Sequence, residues 1–408
     1  MAVATDADPL VSVKQHLESF AAEILADAMN RPVQMANGAL YLRGLIESGA
    51  RKSLEPMVER LGGEANYQSL QQFLADSTWD PASVVRAVAA RVVPKIKVEA
   101  WVLDDTGFVK DGTRSAGVKR QYSGTLGKIG NCQIGVSLHA VGTKGTVPLG
   151  WMLYLPKEWC EDPERRKRAK IPDTIEFRTK PELGVELIER AGAWDICPAP
   201  VLGDCAYGDN TTLRTRLCER GTEYVLSVAA ETTVFSPETT FEVPEQSGRG
   251  RPKSRLRPDR KPEPIGALIA RASPENFATV TFRDGPNGEA LTSRFVFMRV
   301  RAANKAQNGV PCAPREEWLI AEWPEGRERP TDYWISNLPP DTPHERLARL
   351  SRLRWKIELD YKQLKGELGL DHYEGRSWLG WYHHTALVTA AHGFLTLERL
   401  NPKAPRPA

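Results

Sequence analysis

The chain predicts an α/β protein with helices packed on a mixed sheet, preceded by a helical segment and interrupted by a β-rich insertion. Three observations lead there. Apolar residues recur at helical spacing up to about Val93. From Lys97, short β-branched and aromatic runs bounded by Gly, Asp or Pro alternate with helical periods. Between about 230 and 330 the helical periods lapse and strand-like runs take over. At 408 residues the chain is long enough for two or three compact units.

The helical segment carries apolar periods over Val13–Met29, Leu40–Leu61 and Tyr67–Leu74. Asp80-Pro81 then opens Ser83–Val93, with proline in the first turn. To residue 94 there are 8 Lys/Arg against 11 Asp/Glu, so no electrostatic grip on DNA is evident, and DNA binding competes with packing or dimerisation. Strands are expected at Val98–Leu103, Gln133–Val141, Val147–Leu155, Ala199–Leu202 and Tyr224–Val228, with helices at Pro181–Ala193 and Thr211–Arg220. In the insertion, Gly248–Lys261 is Pro- and Arg-rich, with 7 Lys/Arg against one Asp. Strand-like runs follow at Phe277–Arg283, Arg294–Val300, Glu317–Trp323 and Tyr333–Ser336. Two closing helices are expected, Glu345–Leu368 and Trp381–Leu400, before a Pro-rich, disordered tail at 401–408. The domains are therefore placed at 1–94, 95–230, 231–335 and 336–400.

Composition narrows the function classes. A hydrophobic fraction of 41% and a charged fraction of 26% are those of a soluble globular protein. No apolar run approaches ~20 residues and the N-terminus lacks a basic leader, so a cytoplasmic protein without membrane contact is expected. Six scattered cysteines without a Cys-x-x-Cys pair read as reduced structural thiols. A net charge of +3 does not mark a nucleic-acid binder, so basicity must be sought locally.

Two acids sit at strand ends. Trp101–Phe108 contains Asp104-Asp105-Thr106-Gly107, and Val201–Gly208 contains Gly203-Asp204. An acid just past a buried strand is presented at the sheet edge, where open α/β folds bind ligands. Asp104 and Asp105 point to opposite faces while extended, so one serves the site. Asp105 is favoured because Thr106-Gly107 can bend the chain after it; a plain turn aspartate is the competing reading. Asp204 could cap a helix, although Asp209-Asn210 are better cap candidates and leave it free for chemistry.

The third element is Glu345–Leu368. On one continuous helix, Leu347, Leu350, Leu353, Ile357, Leu364 and Leu368 form an apolar stripe. Arg354, Glu358 and Lys365 share an arc of about 40° on its flank. An i,i+4 ion pair is the bland alternative for Arg354 and Glu358. From His344 to Lys365, however, there are 7 Lys/Arg against 3 Asp/Glu. One acid among bases, Lys362 included, suits a metal ligand flanked by phosphate clamps.

These residues resemble the DDE transposases of the IS4-like group, and most closely the IS701 family. Asp105-Thr106 matches the first-acid motif and Gly203-Asp204 the second. Ser351, Arg354, Glu358 and Lys365 align with the Tyr-x2-Arg-x3-Glu-x6-Lys signature, with serine in the tyrosine position. The acids are 99 and 154 residues apart, the second interval holding the insertion. The resemblance implies an RNase H-like catalytic core. It also implies two Mg²⁺ ions, replaceable by Mn²⁺, held by Asp105, Asp204 and Glu358. Cleavage at terminal inverted repeats and transfer into target DNA would follow, by a dimer on double-stranded DNA.

Further DNA contacts are expected at Arg354, Lys365 and Lys362, and at Lys119 and Arg120, which follow the first acid closely. Arg249-Gly250-Arg251-Pro252 has the pattern of an AT-hook core for an A·T-rich minor groove. A flexible basic loop is the competing reading there. Arg165–Arg168 reads as a solvated charge run. Trp355, Trp378 and Trp381, and His372, His383 and His384, read as packing and hydrogen-bonding residues rather than base platforms or zinc ligands. Two rival functions remain, a transposase-derived protein that only binds DNA and a haloacid-dehalogenase-like phosphatase. The second lacks an Asp-x-Asp nucleophile motif at Leu103–Phe108.

Overall fold

The structure, a computed structural model, describes residues 9–245, 254–285, 288–304, 309–310 and 312–401. Arg249, Arg251 and the tail after Asn401 lie outside them. The chain divides into two compact units, 1–198 with 356–408, and 199–355. These cuts fall away from the expected boundaries at 94, 230 and 335.

The first unit opens with α1 (Pro9–Ala26), α2 (Pro32–Ile46), α3 (Leu54–Leu61), α4 (Tyr67–Ala75) and α5 (Pro81–Ile96). Pro32 and Pro81 occupy first turns, where a missing N–H costs nothing. The Asp80 side chain caps α5 by accepting from the amides of Ala82 and Ser83. The expected helix Leu40–Leu61 is in fact two, α2 and α3, separated at residues 47–53. Four strands follow: β1 (Val98–Val109), β2 (Lys119–Ser123), β3 (Lys128–Gly142) and β4 (Thr146–Leu153). All pair antiparallel on β3, with Asp104 opposite Ser137 and Asp105 opposite Val136. After the short α6 (Lys157–Cys160) and α7 (Pro163–Arg168) comes α8 (Lys180–Gly192). Its Thr179–Glu182 capping box fixes where the helix starts.

The second unit holds β5 (Val201–Gly203), α9 (Cys205–Gly208), α10 (Thr211–Glu219), β6 (Tyr224–Ser227) and β7 (Thr233–Phe235). Next come β8 (Phe241–Glu242), β9 (Arg257–Pro258), β10 (Glu263–Pro264), α11 (Ile265–Ile269), β11 (Phe277–Asp284) and β12 (Ala290–Ala302). It ends in β13 (Glu316–Glu322), β14 (Asp332–Ser336) and α12 (His344–Arg352). The sheet runs β10-β7-β12-β13-β14-β6-β5, with β11 on β12. β5 and β6 pair parallel and the rest antiparallel, which makes this a mixed sheet.

The last helices are α13 (Trp355–Gly366) and α14 (Trp378–Leu400). Most of α14 is buried among α5, α2, α4 and β4. Gly393 lets it approach α5, since a Cβ there would meet Val88 at 2.6 Å. No helix among the described residues is long and apolar enough to cross a membrane. All six cysteines are free thiols.

Candidate active site

Two local expectations fail. β1 does not bend after Asp105 but pairs with β3 as far as Val109, so both acids lie inside a strand. The helix expected over Glu345–Leu368 breaks at Leu353-Arg354, which puts Arg354 in a turn. Its leucine stripe is nevertheless buried in both pieces, from Leu347 to Leu368.

Strand alternation separates the two β1 acids. Residues directly opposite in an antiparallel pair share a face. Asp104 therefore shares a face with Ser137, whose hydroxyl meets the Tyr361 hydroxyl of α13 at 2.7 Å. Asp105 points to the other face. Its two carboxylate oxygens accept from Lys180 Nζ of α8 at 3.0 and 3.1 Å. On that same face a Cβ at Gly184 of α8 would meet Leu103 at 2.5 Å. The Tyr361 hydroxyl is pushed well above its ordinary pKa by burial first, then by the negative charge of Asp104, with Asp105 adding to it.

α13 is moored along its length. Lys356 Nζ donates to Gly142 O at 2.7 Å. Asp360, almost fully buried, accepts from His139 at 2.9 Å and Thr146 at 2.5 Å. Burial works to raise the Asp360 pKa, but the His139 hydrogen bond and the neighbouring imidazoles prevail, holding it below the usual carboxylate range. Lys365 Nζ donates to Gly107 O at 2.8 Å and Thr125 Oγ1 at 3.0 Å, and burial lowers its pKa. Lys365 thus ties the helix to β1 two residues beyond Asp105. On α13, Glu358 projects about 20° from Lys365 and about 60° from Tyr361. It is exposed, on the same flank of the helix as Lys365, which reaches β1.

In the second unit, Asp204 does cap a helix: it accepts from Ala206 N at 2.9 Å to start α9. Asn210 caps α10, while Asp209 accepts from the Thr232 hydroxyl at 2.5 Å, so Asp209 does not relieve Asp204 of capping. Gly208 allows α9 to press on β6, because a Cβ would collide with Ser227 O. The Cys205 thiol pKa is raised by burial, then by Asp209, Asp204 and Asp332, and opposed by Arg354. Asp204 and Arg354 thus share one electrostatic neighbourhood. Ser351 is buried and back-bonds to Ala348 O at 2.9 Å, so the serine at the signature's tyrosine position is turned inward.

Other expected residues fall as follows. Lys362, Lys119 and Arg120 are exposed, with Lys119 paired to Glu158. Trp378 and Trp381 are buried, and Trp355 lies under the Arg283 guanidinium at 4.3 Å. His383 and His384 bond to backbone carbonyls and Tyr41, and His372 Nδ1 accepts from Lys52 N. Sequence reasoning missed Lys180, Tyr361 and the Asp360–His139–Thr146 anchor. Alternation along β1 was the one signal that could have matched Asp104 to a partner.

The donor set consists of hard carboxylate oxygens, the chemistry that Mg²⁺ and Mn²⁺ take. Asp105 already holds one cation, the Lys180 ammonium, with both its oxygens. Among the described residues no group of three or more His, Cys, Asp or Glu is arranged to hold a metal ion.

The profile of the DDE superfamily endonuclease family matches residues 25–289. The chain belongs to the DDE endonuclease superfamily. The matched stretch includes Asp104, Asp105 and Asp204 and stops short of Glu358. The chain is also similar to the "Probable transposase for insertion sequence element IS701" of Microchaete diplosiphon, 32% identical over 169 residues. That alignment covers 41% of each protein, so the chain spans about two-fifths of the length of this curated relative. Family membership leaves the phosphatase reading without support.

Proposed function

We propose that this protein is an IS701-like transposase with an RNase H-like core, which cuts double-stranded DNA at the ends of a mobile element and joins those ends to target DNA. The observation that carries the reading is α13, which is moored to β3 and β1 at four points and carries an exposed Glu358 on the flank of Lys365, the residue that reaches β1. Membership of the DDE endonucleases and the likeness to a probable insertion-sequence transposase support it.

The acids proposed are Glu358, Asp204 and one of the β1 pair. Shared facing with Ser137 and Tyr361 supports Asp104 for that role over Asp105, the acid that motif matching favours. Divalent metal, Mg²⁺ or Mn²⁺, would supply activation of the attacking hydroxyl and stabilisation of the leaving oxygen. The protein's own groups do the rest. Glu358 and Asp104 offer oxygen ligands from elements whose spacing Lys365 and Asp360 fix. Lys180 balances the charge of Asp105. Arg354, Lys362, Lys119 and Arg120 offer phosphate contacts. Joining two ends calls for two such sites and hence a dimer on DNA. The helices of residues 9–96 are assigned to DNA binding or dimerisation.

The test uses the inverted repeats flanking the gene as substrate, with Mg²⁺. Asp104→Ala, Asp204→Ala and Glu358→Ala should each lower cleavage by about 10⁴-fold or more, the scale for removing a member of a catalytic unit, while DNA binding persists. Asp105→Ala should cost roughly 10-fold, as a residue acting through charge balance. Full cleavage by Glu358→Ala or Asp204→Ala would remove the reading. The reverse order for the two β1 acids would return the role to Asp105.

A further inference from the structure

A cavity of about 410 Å³ in the first unit is lined by Thr113, Arg114, Trp159, Arg165, Arg168 and Arg376. Four arginines line it, and like charges gathered around one cavity repel. Three acids that precede Arg165 in sequence are engaged elsewhere. Glu158 pairs with Lys119, Glu161 pairs with Lys157, and Asp162 accepts from the Arg165 backbone amide at 2.9 Å. Glu164 offers Arg168 only its backbone carbonyl, at 3.3 Å.

The cavity is also built rather than incidental. The Arg165 guanidinium lies 3.9 Å from the ring of Trp159, which is buried and donates its indole N–H to Val118 O at 2.8 Å. Arg376 O accepts from Ala116 N at 3.2 Å, and Ala169 O accepts from Trp378 N at 2.8 Å. Three separated segments, the β1–β2 loop, α6–α7 and the stretch before α14, are thus laced together around the four arginines. Arginines gathered in this way match the paired oxygens of a phosphate or carboxylate, and four positive charges together favour a polyanion.

We propose that this cavity is a docking site for a backbone phosphate of the double-stranded DNA on which the protein acts. The proposal rests on the DNA-cutting reading above and adds to it where the duplex is held. Exposure of Arg114, Arg168 and Arg376 suits a polyanion running past an open mouth, not a small anion enclosed. Chain length supports the same occupant. Nine residues join Asp105 to Arg114, a span of at most about 30 Å. A helical turn of duplex is about 34 Å, so DNA held here lies within one turn of the acid-bearing strand.

The test measures binding of the full-length protein to a fluorescent duplex of about three helical turns, across a salt series. Arg168→Ala/Arg376→Ala should weaken binding by about 10-fold near 0.1 M salt and reduce the salt slope by about one, with the melting temperature unchanged. Arg168→Lys/Arg376→Lys should restore the slope but not the full affinity. Unchanged affinity and slope in the alanine variant would overturn the proposal. So would inorganic phosphate raising the melting temperature of the wild type while duplex binding is the same in both, since the cavity would then serve a free anion. Weakened binding in the arginine variant alongside full cleavage by Glu358→Ala would leave this site standing and remove the catalytic reading.

Discussion

The buried face of α13 and the arginine cavity beside α7 handle charge in opposite ways. Under α13, Asp360 is almost wholly enclosed and both its oxygens are matched, by His139 and Thr146. In the cavity four arginines stand together, and three acids that precede Arg165 in sequence are engaged elsewhere. A charge whose partner is internal holds the fold, because removing the partner strands an ion in low dielectric. Charges that lack an internal partner and stay solvated contribute little to folding and remain available to a ligand. The first region should therefore report in stability and the second in binding.

Breaking the internal pair should produce the largest change. Asp360→Ala is expected to cost about 3–5 kcal/mol in urea unfolding, the scale for stripping one partner from a buried pair. A cost below 1 kcal/mol would place Asp360 with the arginines instead. Acid should act next on the buried histidines of α14, of which His392 faces Asp360. Burial holds the folded His384 and His392 at about 4, against about 6.5 in the unfolded chain. Between those values the unfolded chain binds more protons, so stability rises with pH. The contribution is complete above about 6.5 and is lost as the pH falls toward 4, worth up to about 3 kcal/mol per histidine. Urea midpoints that do not move between pH 7 and pH 4.5 would contradict it.

Tyr361→Phe removes one hydrogen bond, to Ser137, and should cost about 1 kcal/mol in the same assay. Smallest of all, Arg168→Ala should leave stability within about 0.5 kcal/mol, as exposed substitutions do. A larger loss would mean that the cavity serves the fold and not a ligand.

Much of the fold was readable because the β-branched runs and helical periods are long. The strands at 98, 133, 147 and 224 and the helices at 67, 83, 181 and 211 all appear within a few residues of their expected places. Reading failed where pattern and backbone part company. Leu347 to Leu368 keep one apolar period across a break, and residues 344–365 contain neither Gly nor Pro to mark it. Asp105-Thr106-Gly107 looks like a turn, but pairing to β3 extends it, because cross-strand hydrogen bonds outweigh a local turn preference. The four-residue helix that Asp204 caps is too short to show a period. β2 was invisible because Lys119–Ser123 carries no apolar alternation. The arginine cavity draws on three segments up to 262 residues apart, and such convergence leaves no trace in any single stretch of sequence.

Lys180 has a consequence for the pair of neighbouring aspartates. Two adjacent carboxylates hinder each other's ionisation, and a tethered ammonium is a counterion whose supply never varies. With Lys180 on both Asp105 oxygens, one of the two negative charges that β1 carries side by side is offset from within the chain.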